Sequence, residues 1–427
     1  MSERRPETCA VRAGVAVDRE HGSVIPPIHL SSTFSFRALG EQRQYDYTRS
    51  GNPTRDLLGR ALADLEGGHD AVITASGMAA VTTVLHLLGP DDLIVAPHDC
   101  YGGTHRLLTS LARKGQFRIT LVDQTDPLSL DEAFAAAPSM IWVETPSNPL
   151  LRVVDIADVV ARARAGGALV VVDNTFLSPA LQRPIELGAD LVVHSTTKYL
   201  NGHSDVVGGA VVARTAEVAE QVEWWANALG VTGSPFDSFL TMRGIRTLHA
   251  RMQMHETNAG AVVAVLRGHP AVRRVYHPSL KDHPGHDIAV SQQSGFGGMV
   301  SFEIDGGRAQ VKDFLDGLEL FTLAESLGGV ESLVCHPATM THAAMDEDAR
   351  AVAGVGDSLL RLSVGIEAAE DLVSELTAAL DRTVSRPLAT PSVGAPAGWC
   401  AMSEDPHGPQ RVGRRDVAPW PILTEHA

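Results

Sequence analysis

Lysine is scarce in this chain, and one lysine stands where an amine could do covalent chemistry. Only four of the 35 Lys and Arg residues are lysines. Lys198 directly follows a run typical of a buried strand, and the hydroxyls of Ser195 and Thr197 lie within three positions of it. A phosphate-bearing aldehyde cofactor needs an amine for its aldehyde and donors for its phosphate, and the alternative is a solvated loop lysine. The other lysines are expected to be solvated: Lys114, Lys281 and Lys312.

A carboxylate closes another apolar run. Asp173 ends the segment LVVVD at 169–173. A carboxylate buried at a strand end must be paired or protonated. A pyridinium nitrogen would be such a partner, and the pair would keep that ring protonated and able to accept electrons. The alternatives are a helix N-cap, since Asn174 and Thr175 follow, or a metal ligand.

Two further segments offer contacts to a flat, phosphorylated cofactor. Gly77 and Met78 begin a helical segment after a strand-like run, where free backbone N–H groups could bind a phosphate. Tyr101, in CYGGT, follows another strand and could stack on a ring. The alternatives are a tight strand–helix turn and a core tyrosine.

Tyr47 and Arg49 lie outside the strand–helix pattern, in a segment with no apolar core of its own. A guanidinium and a phenol can clamp a phosphate, and on such a segment the clamp could act on a neighbouring subunit. The alternative is a solvated turn, because Gly51-Asn52-Pro53 is strong turn chemistry.

The elements that must position these residues are apolar, β-branched runs alternating with helical segments. Runs without polar alternation are typical of strands buried on both faces, and strand–helix alternation predicts an α/β fold with a mostly parallel, doubly wound sheet. Ligands bind beyond the carboxyl ends of such strands, which is where the candidate residues lie. The predicted strands are 93–97, 117–123, 140–145, 168–175, 191–196 and 208–213.

Composition changes along the chain predict four parts. Residues 1–58 form an N-terminal arm and 59–254 the large cofactor-binding domain. Longer helices with fewer strands at 255–385 predict a smaller C-terminal α/β domain. Residues 386–427, rich in proline and glycine, are predicted to be a disordered tail.

Composition also excludes several classes of function. A net charge of −16 disfavours binding to nucleic acid or to anionic membranes. Four scattered cysteines without a CxxC pair argue for a reducing compartment, and no apolar run is long enough to span a membrane, so a cytoplasmic protein is expected. No metal site is predicted, because the histidines of 277–286 have no suitable spacing.

Taken together, these segments resemble the Cys/Met-metabolism branch of the pyridoxal-phosphate enzymes. The resemblance covers about residues 8–383 and leaves out the tail. It implies fold type I, the aspartate-aminotransferase-like fold, with pyridoxal 5'-phosphate as cofactor, and a homotetramer built from dimers that share active sites. The segments that carry it are VIPPIHLSSTFSF (24–36), DYTRSGNPTR (46–55), APHDCYGGT (96–104), ETPSNPLLRVVDIA (144–157), VVDNTFLSPALQ (171–182), HSTTKYLNGHSDVVGG (194–209) and LFTLAESLGGVESLVCHPATMTHA (320–343).

The resemblance also implies a role for each matching residue. Lys198 holds the cofactor covalently and later moves protons, with Tyr101 and Asp173 as the other catalytic residues. Arg361 clamps the substrate α-carboxylate, as a planar guanidinium can. The remaining cofactor contacts are Tyr47 and Arg49 from an adjacent subunit, with Gly77, Met78, Asn148, Ser195 and Thr197. The remaining substrate contacts are Asp46, Arg106, Asn148, Glu325 and Ser326.

Within the family, the residues favour the γ-synthases. These enzymes replace the acyloxy group of an O-acyl-L-homoserine, succinyl or acetyl, with the thiol of L-cysteine and form L-cystathionine. Glu325, Arg106 and His336 resemble γ-synthase residues, and Gly103 replaces the cysteine of methionine γ-lyases. Ser50 stands where close γ-synthases have a second arginine, which leaves the acyl group open. The alternatives are a γ-lyase, an enzyme with another nucleophile, or a non-catalytic scaffold.

Overall fold

The computed structural model describes residues 4–343 and 347–385, and the predicted tail lies outside that range. The helices are α1 (Pro6–Arg12), α2 (Pro53–Glu66), α3 (Gly77–Leu85), α4 (Gly102–Arg113), α5 (Pro127–Ala135), α6 (Ile156–Gly166), α7 (Ser178–Leu181), α8 (Ala216–Leu229), α9 (Pro235–Ile245), α10 (Leu248–Gly268), α11 (His286–Gln292), α12 (Arg308–Leu315), α13 (Glu347–Ala353) and α14 (Ala369–Ser385). The strands are β1 (Asp70–Thr74), β2 (Leu93–Pro97), β3 (Arg118–Val122), β4 (Met140–Glu144), β5 (Leu169–Asp173), β6 (Leu191–Ser195), β7 (Gly209–Ala213), β8 (Val272–Tyr276), β9 (Met299–Ile304), β10 (Thr322–Leu323), β11 (Leu333–Cys335) and β12 (Leu359–Ser363).

The larger sheet has seven strands in the order β1-β7-β6-β5-β4-β2-β3. All neighbours from β6 to β3 pair in parallel, whereas β7 runs antiparallel to both β1 and β6. The predicted mostly parallel α/β sheet is therefore confirmed. The direction of β7 is not visible in its sequence, because a strand buried on both faces has the same apolar run in either direction.

Helices cover both faces of this sheet, as doubly wound folds require. Along β6, Val192 packs into a core cluster with residues of α2, α9 and α10, while Val193 packs into a second cluster with α3 and α8. Side chains that follow one another on a strand point to opposite faces, so each strand contributes to both cores.

The smaller sheet has five strands in the order β10-β11-β12-β9-β8. Its core is formed with α10, α12 and α14 and includes the buried rings of Phe302 and Phe314. This is the expected smaller α/β unit, although the boundaries assigned to the domains stay a prediction. Among the described residues, no helix is long and apolar enough to cross a membrane, and the cytoplasmic location also stays a prediction.

The N-terminal segment contains one helix that the sequence pattern does not indicate. In α1, Ala10 is buried against the rest of the fold, while several apolar side chains that follow are exposed. A helix of two turns with one buried residue has too few apolar positions to show a period. The exposed large apolar side chains of the following segment are Val17, Val24, Ile25, Leu30, Phe36, Leu39 and Tyr47.

Candidate active site

A cavity of about 490 Å³ opens at the carboxyl ends of β4, β5 and β6, where parallel sheets bind ligands. Most of the candidate residues line it, although they are spread over nearly 300 positions of the chain. Three of them, from the N-terminal segment, do not. The lining candidates are Gly77, Met78, Tyr101, Arg106, Asn148, Asp173, Ser195, Thr197, Lys198, Glu325, Ser326 and Arg361.

Lys198 reaches this cavity from the turn that follows β6. Its Nζ donates a hydrogen bond of 2.7 Å to Oγ of Ser326. Burial and, second, the positive charge of Arg361 together lower the pKa of Lys198 to about 8, against the opposing effect of Glu325. An amine tuned this close to neutrality can be both a nucleophile and a proton carrier. The other lysines are exposed, as predicted: Lys114, Lys281 and Lys312.

Asp173 shares its end of the sheet with a second carboxyl group, that of Glu144. The two residues are direct register partners on β5 and β4. Burial raises the pKa of both, and the charge of Asp173 raises the pKa of Glu144 further. Hydrogen bonds from the side chain and backbone of Thr175 partly offset this rise by lowering the pKa of Asp173. A cationic ring nitrogen is the kind of partner that would compensate a buried anion at Asp173.

Glu144 is a lining residue that our sequence reasoning did not select. Its Oε2 accepts the backbone N–H of Tyr101 at 2.8 Å, and its Oε1 accepts that of Asn148 at 3.1 Å. It therefore joins the loops that follow β2 and β4. The signal was the same as for Asp173, a carboxylate at the end of an apolar strand-like run.

A crowded backbone turn forms the end of the cavity suited to a phosphate. At Gly77, the first residue of α3, an added Cβ would lie 2.8 Å from Cβ of Ser195. The first N–H groups of a helix have no intrahelical acceptor, so this close approach aims free donors at the space beside Ser195. The hydroxyl of Thr197, which also lines this cavity, accepts the backbone N–H of Gly208 and donates to the carbonyl of the same residue.

Tyr101 stands at the start of α4, and its ring packs over a glycine. An added Cβ at Gly103 would lie 2.5 Å from Cε1 of Tyr101 and 3.0 Å from Sδ of Met78. The absence of a side chain at Gly103 therefore lets the ring pack directly against the first turn of α4. Tyr101 remains 41% exposed toward the cavity, which leaves a ring face available for stacking.

Arg361, on β12, brings the smaller sheet to the cavity. It is 2% exposed and donates to Oδ1 of Asn148 and to the carbonyl of Ser326, both at 2.8 Å. Its Nε has no hydrogen-bond partner among the described residues. Asn148 is also held by His342, whose Nε2 lies 3.1 Å from its carbonyl oxygen. A buried guanidinium with an unused donor is suited to bind a carboxylate.

The remaining candidates lie at the rim or elsewhere. Arg106 and Glu325 are exposed side chains of the cavity lining. The structure does not bring the three N-terminal candidates to this cavity. Asp46 and Arg49 line a separate cavity, where Arg49 donates to the backbone and side-chain oxygens of Asn227 at 2.9 Å, and Tyr47 is 49% exposed.

These residues fit an aldehyde cofactor that bears a phosphate and a basic ring nitrogen. They include a partly buried amine with a lowered pKa, a partly buried carboxylate with spare acceptor capacity, and a close backbone turn at Gly77 that has no room for a side chain. Within 4–343 and 347–385, no group of three His, Cys, Asp or Glu residues could hold a metal ion.

Comparisons with known proteins agree with this geometry. The family model "Cys/Met metabolism PLP-dependent enzyme" matches residues 7–381. Cystathionine γ-synthase of Escherichia coli K12 is 58% identical over 87% of this chain and 97% of that enzyme. A cystathionine β-lyase of Lactococcus lactis is 47% identical over 88% and 99%. The crystal structure of cystathionine γ-synthase from Xanthomonas oryzae pv. oryzae with cystathionine has 61% identity and a TM-score of 0.89 over 90% of this chain and 99% of that one.

Proposed function

The chain belongs to the Cys/Met metabolism PLP-dependent enzyme family, and we propose that it joins an O-acyl-L-homoserine to L-cysteine. The thiol of cysteine replaces the acyloxy group at the γ-carbon and gives L-cystathionine. The cofactor and the fold type implied by the sequence are those of this family. The observation that carries the proposal is a single cavity that holds Lys198, Asp173 and Arg361 in a chain about 60% identical to two γ-synthases.

Bound pyridoxal phosphate supplies an aldehyde for the substrate amine and a ring that takes up electrons from the adjacent carbons. Lys198 would hold the cofactor, and its amine would carry protons during the reaction. Asp173 would keep the ring nitrogen protonated, and Tyr101 would stack on the ring. Asn148 would contact the phenolic oxygen of the cofactor. The phosphate would be held by Gly77, Met78, Ser195 and Thr197.

Proton transfer depends on the state of the Lys198 amine. With a pKa of about 8, roughly a fifth of the freed amine is neutral at pH 7.4, far more than for a solvated lysine, and can accept a proton. The Ser326 hydroxyl, 2.7 Å away, orients that amine when it is not bound to the cofactor. One lysine can therefore accept and return protons in successive steps of a γ-replacement.

Substrate orientation comes from the arginines. Arg361 binds the α-carboxylate in a fixed plane, because Asn148 and Ser326 already hold two of its nitrogens. Arg106 at the exposed rim meets the distal carboxylate of a succinyl group, with Glu325 and Asp46 as further substrate contacts. Ser50, which bonds Asp46 within its own turn, supplies no positive charge for a distal carboxylate, so the proposal includes both the succinyl and the acetyl ester.

We also propose that the site is completed by a second copy of the chain. The residues proposed to hold the phosphate carry no positive charge, which a phosphate needs. Tyr47 and Arg49 are exposed, and they do not line the cavity that contains Lys198 of their own chain. In a homotetramer built from dimers, these residues clamp the phosphate of the adjacent subunit.

Product analysis tests the reaction. Purified enzyme receives O-succinyl- or O-acetyl-L-homoserine, with and without L-cysteine, and separately L-cystathionine alone. We expect cystathionine only when an acylated homoserine and cysteine are both present, and the faster ester identifies the acyl group. Rapid cleavage of cystathionine to L-cysteine with no synthesis would instead show a γ-lyase, and synthesis with a thiol other than cysteine would show a different nucleophile.

A further inference from the structure

A buried carboxylate that the proposed reaction does not use lies beneath the strand ends of the site. Glu66, the last residue of α2, is fully buried. Val193 and Ser195 of β6 line the cavity, and His194 between them points to the other face, because side chains alternate along a strand. Glu66 lies on that opposite face.

One oxygen of Glu66 joins two neighbouring strands. Its Oε1 lies 2.9 Å from Nδ2 of Asn174 and 2.6 Å from Nε2 of His194. The same Nδ2 donates to the carbonyl of Gln182 at 2.8 Å, and since a carbonyl can only accept, the amide orientation is settled. Oε1 is therefore an acceptor. Asn174 directly follows Asp173, and His194 directly precedes Ser195.

A second link ties the same strand ends on the cavity side. Oδ1 of Asp173 accepts the backbone N–H of Thr175 at 3.0 Å. The Thr175 hydroxyl accepts the backbone N–H of Ser195 at 2.9 Å. The ends of β5 and β6 are thus held from both faces, by Thr175 above and by Glu66 below.

Glu66 can act as a fixed reference because the end of α2 is itself anchored. The residue after the helix, Gly67, has a φ of 76°, in the left-handed region that favours glycine. An added Cβ at Gly68 would lie 2.5 Å from Cγ1 of Val212, so the chain passes directly against β7. Nε of Arg183 donates to the carbonyl of Leu65 at 2.7 Å.

We propose that Glu66 is a positioning residue: through Asn174 and His194 it sets where Asp173 and Ser195 stand relative to each other. This inference rests on the proposed roles of Asp173 at the ring nitrogen and Ser195 at the phosphate. One rigid cofactor must meet both residues, so a displacement of either strand end weakens both contacts. Misplacement by about 1 Å commonly costs on the order of 100-fold in rate.

The test compares Glu66→Ala and Glu66→Gln with Asp64→Asn, an exposed acid two positions earlier on the same helix. We expect Glu66→Ala to weaken pyridoxal phosphate binding at least about tenfold and to lower kcat more than it raises KM, because Arg361 is not displaced. Amide hydrogen exchange at Asn174 and Ser195 should become faster. Glu66→Gln keeps one acceptor oxygen, so its cofactor affinity and exchange rates should lie between those of Glu66→Ala and the wild type. Asp64→Asn should match the wild type in both measurements.

Unchanged cofactor affinity and unchanged exchange at Asn174 and Ser195 in folded Glu66→Ala would overturn the inference, even if its melting temperature fell. If Glu66→Ala does not fold, Glu66→Gln and Asn174→Ala carry the test, and wild-type cofactor affinity in both would overturn it. Cofactor affinity and exchange are measured without substrate. An error in the proposed reaction would therefore show in the wild-type product analysis and leave this test unaffected.

Discussion

The carboxyl groups of Glu144 and Asp173 lie on neighbouring strands as direct register partners, at one edge of the same cavity. Burial raises the pKa of each, and the negative charge of Asp173 adds to the effect on Glu144. Hydrogen bonds from Thr175 and the nearby His194 favour the charged form of Asp173. Both carboxyl groups therefore ionise less readily than free ones, and a cationic ring nitrogen beside Asp173 would favour the charged form of that residue.

Replacing Glu144 with glutamine should change how stability depends on pH. The pKa of Glu144 in the folded state lies well above 4.5, so the stability it contributes is present below pH 4.5 and is lost as pH rises through its folded pKa. Urea unfolding of cofactor-free Glu144→Gln should therefore show a smaller loss of stability above pH 4.5 than the wild type. The free energy of unfolding of Glu144→Gln should also be lower by about 1–3 kcal/mol at every pH, because an amide NH₂ then faces a backbone N–H. The exposed Glu132→Gln is the control, and parallel curves for Glu144→Gln and wild type would contradict the prediction.

Replacing Lys198 with alanine should abolish cystathionine formation and the visible absorbance of the lysine-bound cofactor. Loss of a positioned acid–base group alone costs about 10²–10⁴-fold, and here the covalent attachment is lost as well. Steady-state assays and absorbance spectra measure both effects. Lys281→Ala, at an exposed lysine, should behave as wild type. Turnover near the wild-type rate in Lys198→Ala would refute the assignment.

Lys198 should also make the cofactor-free protein more stable at alkaline pH. The folded pKa of about 8 lies below the unfolded value of 10.5, so between these values the unfolded chain binds more protons and the free energy of unfolding rises with pH. The gain is on the order of 3 kcal/mol. Urea unfolding from pH 7 to 10.5 should show this rise in the wild type relative to Lys198→Met. A constant difference between the two proteins across that range would show that the Lys198 pKa is not lowered.

Replacing Arg361 with lysine should weaken binding of the amino-acid substrate. An ammonium cannot reproduce the fixed plane that Asn148 and Ser326 give the guanidinium, so KM for the acylated homoserine should rise about 10- to 100-fold. Cofactor absorbance should stay unchanged. Arg273→Lys, at an arginine 57% exposed and paired with Glu303, serves as control. An unaltered KM in Arg361→Lys would mean that another group binds the α-carboxylate.

Local sequence was sufficient to select Lys198 and Asp173 as candidates and to place them together. Asp173 ends, and Lys198 follows, a run typical of a buried strand, and parallel strands end at one edge of a sheet. The α/β class followed from the same runs. Arg361 was selected only through the family resemblance. It lies on β12, in the smaller sheet, and nothing in the sequence around it indicates that it reaches the cavity of the larger sheet.

Tertiary structure alone decided which of these groups meet. The pairing of Glu144 with Asp173 depends on β4 lying beside β5, and the reversed direction of β7 depends on its neighbours as well. Glu66 is 108 positions from Asn174, so no local pattern connects them. Residue type and strand period are properties of short segments, whereas burial, the resulting pKa and the hydrogen-bond partner depend on what folding brings alongside.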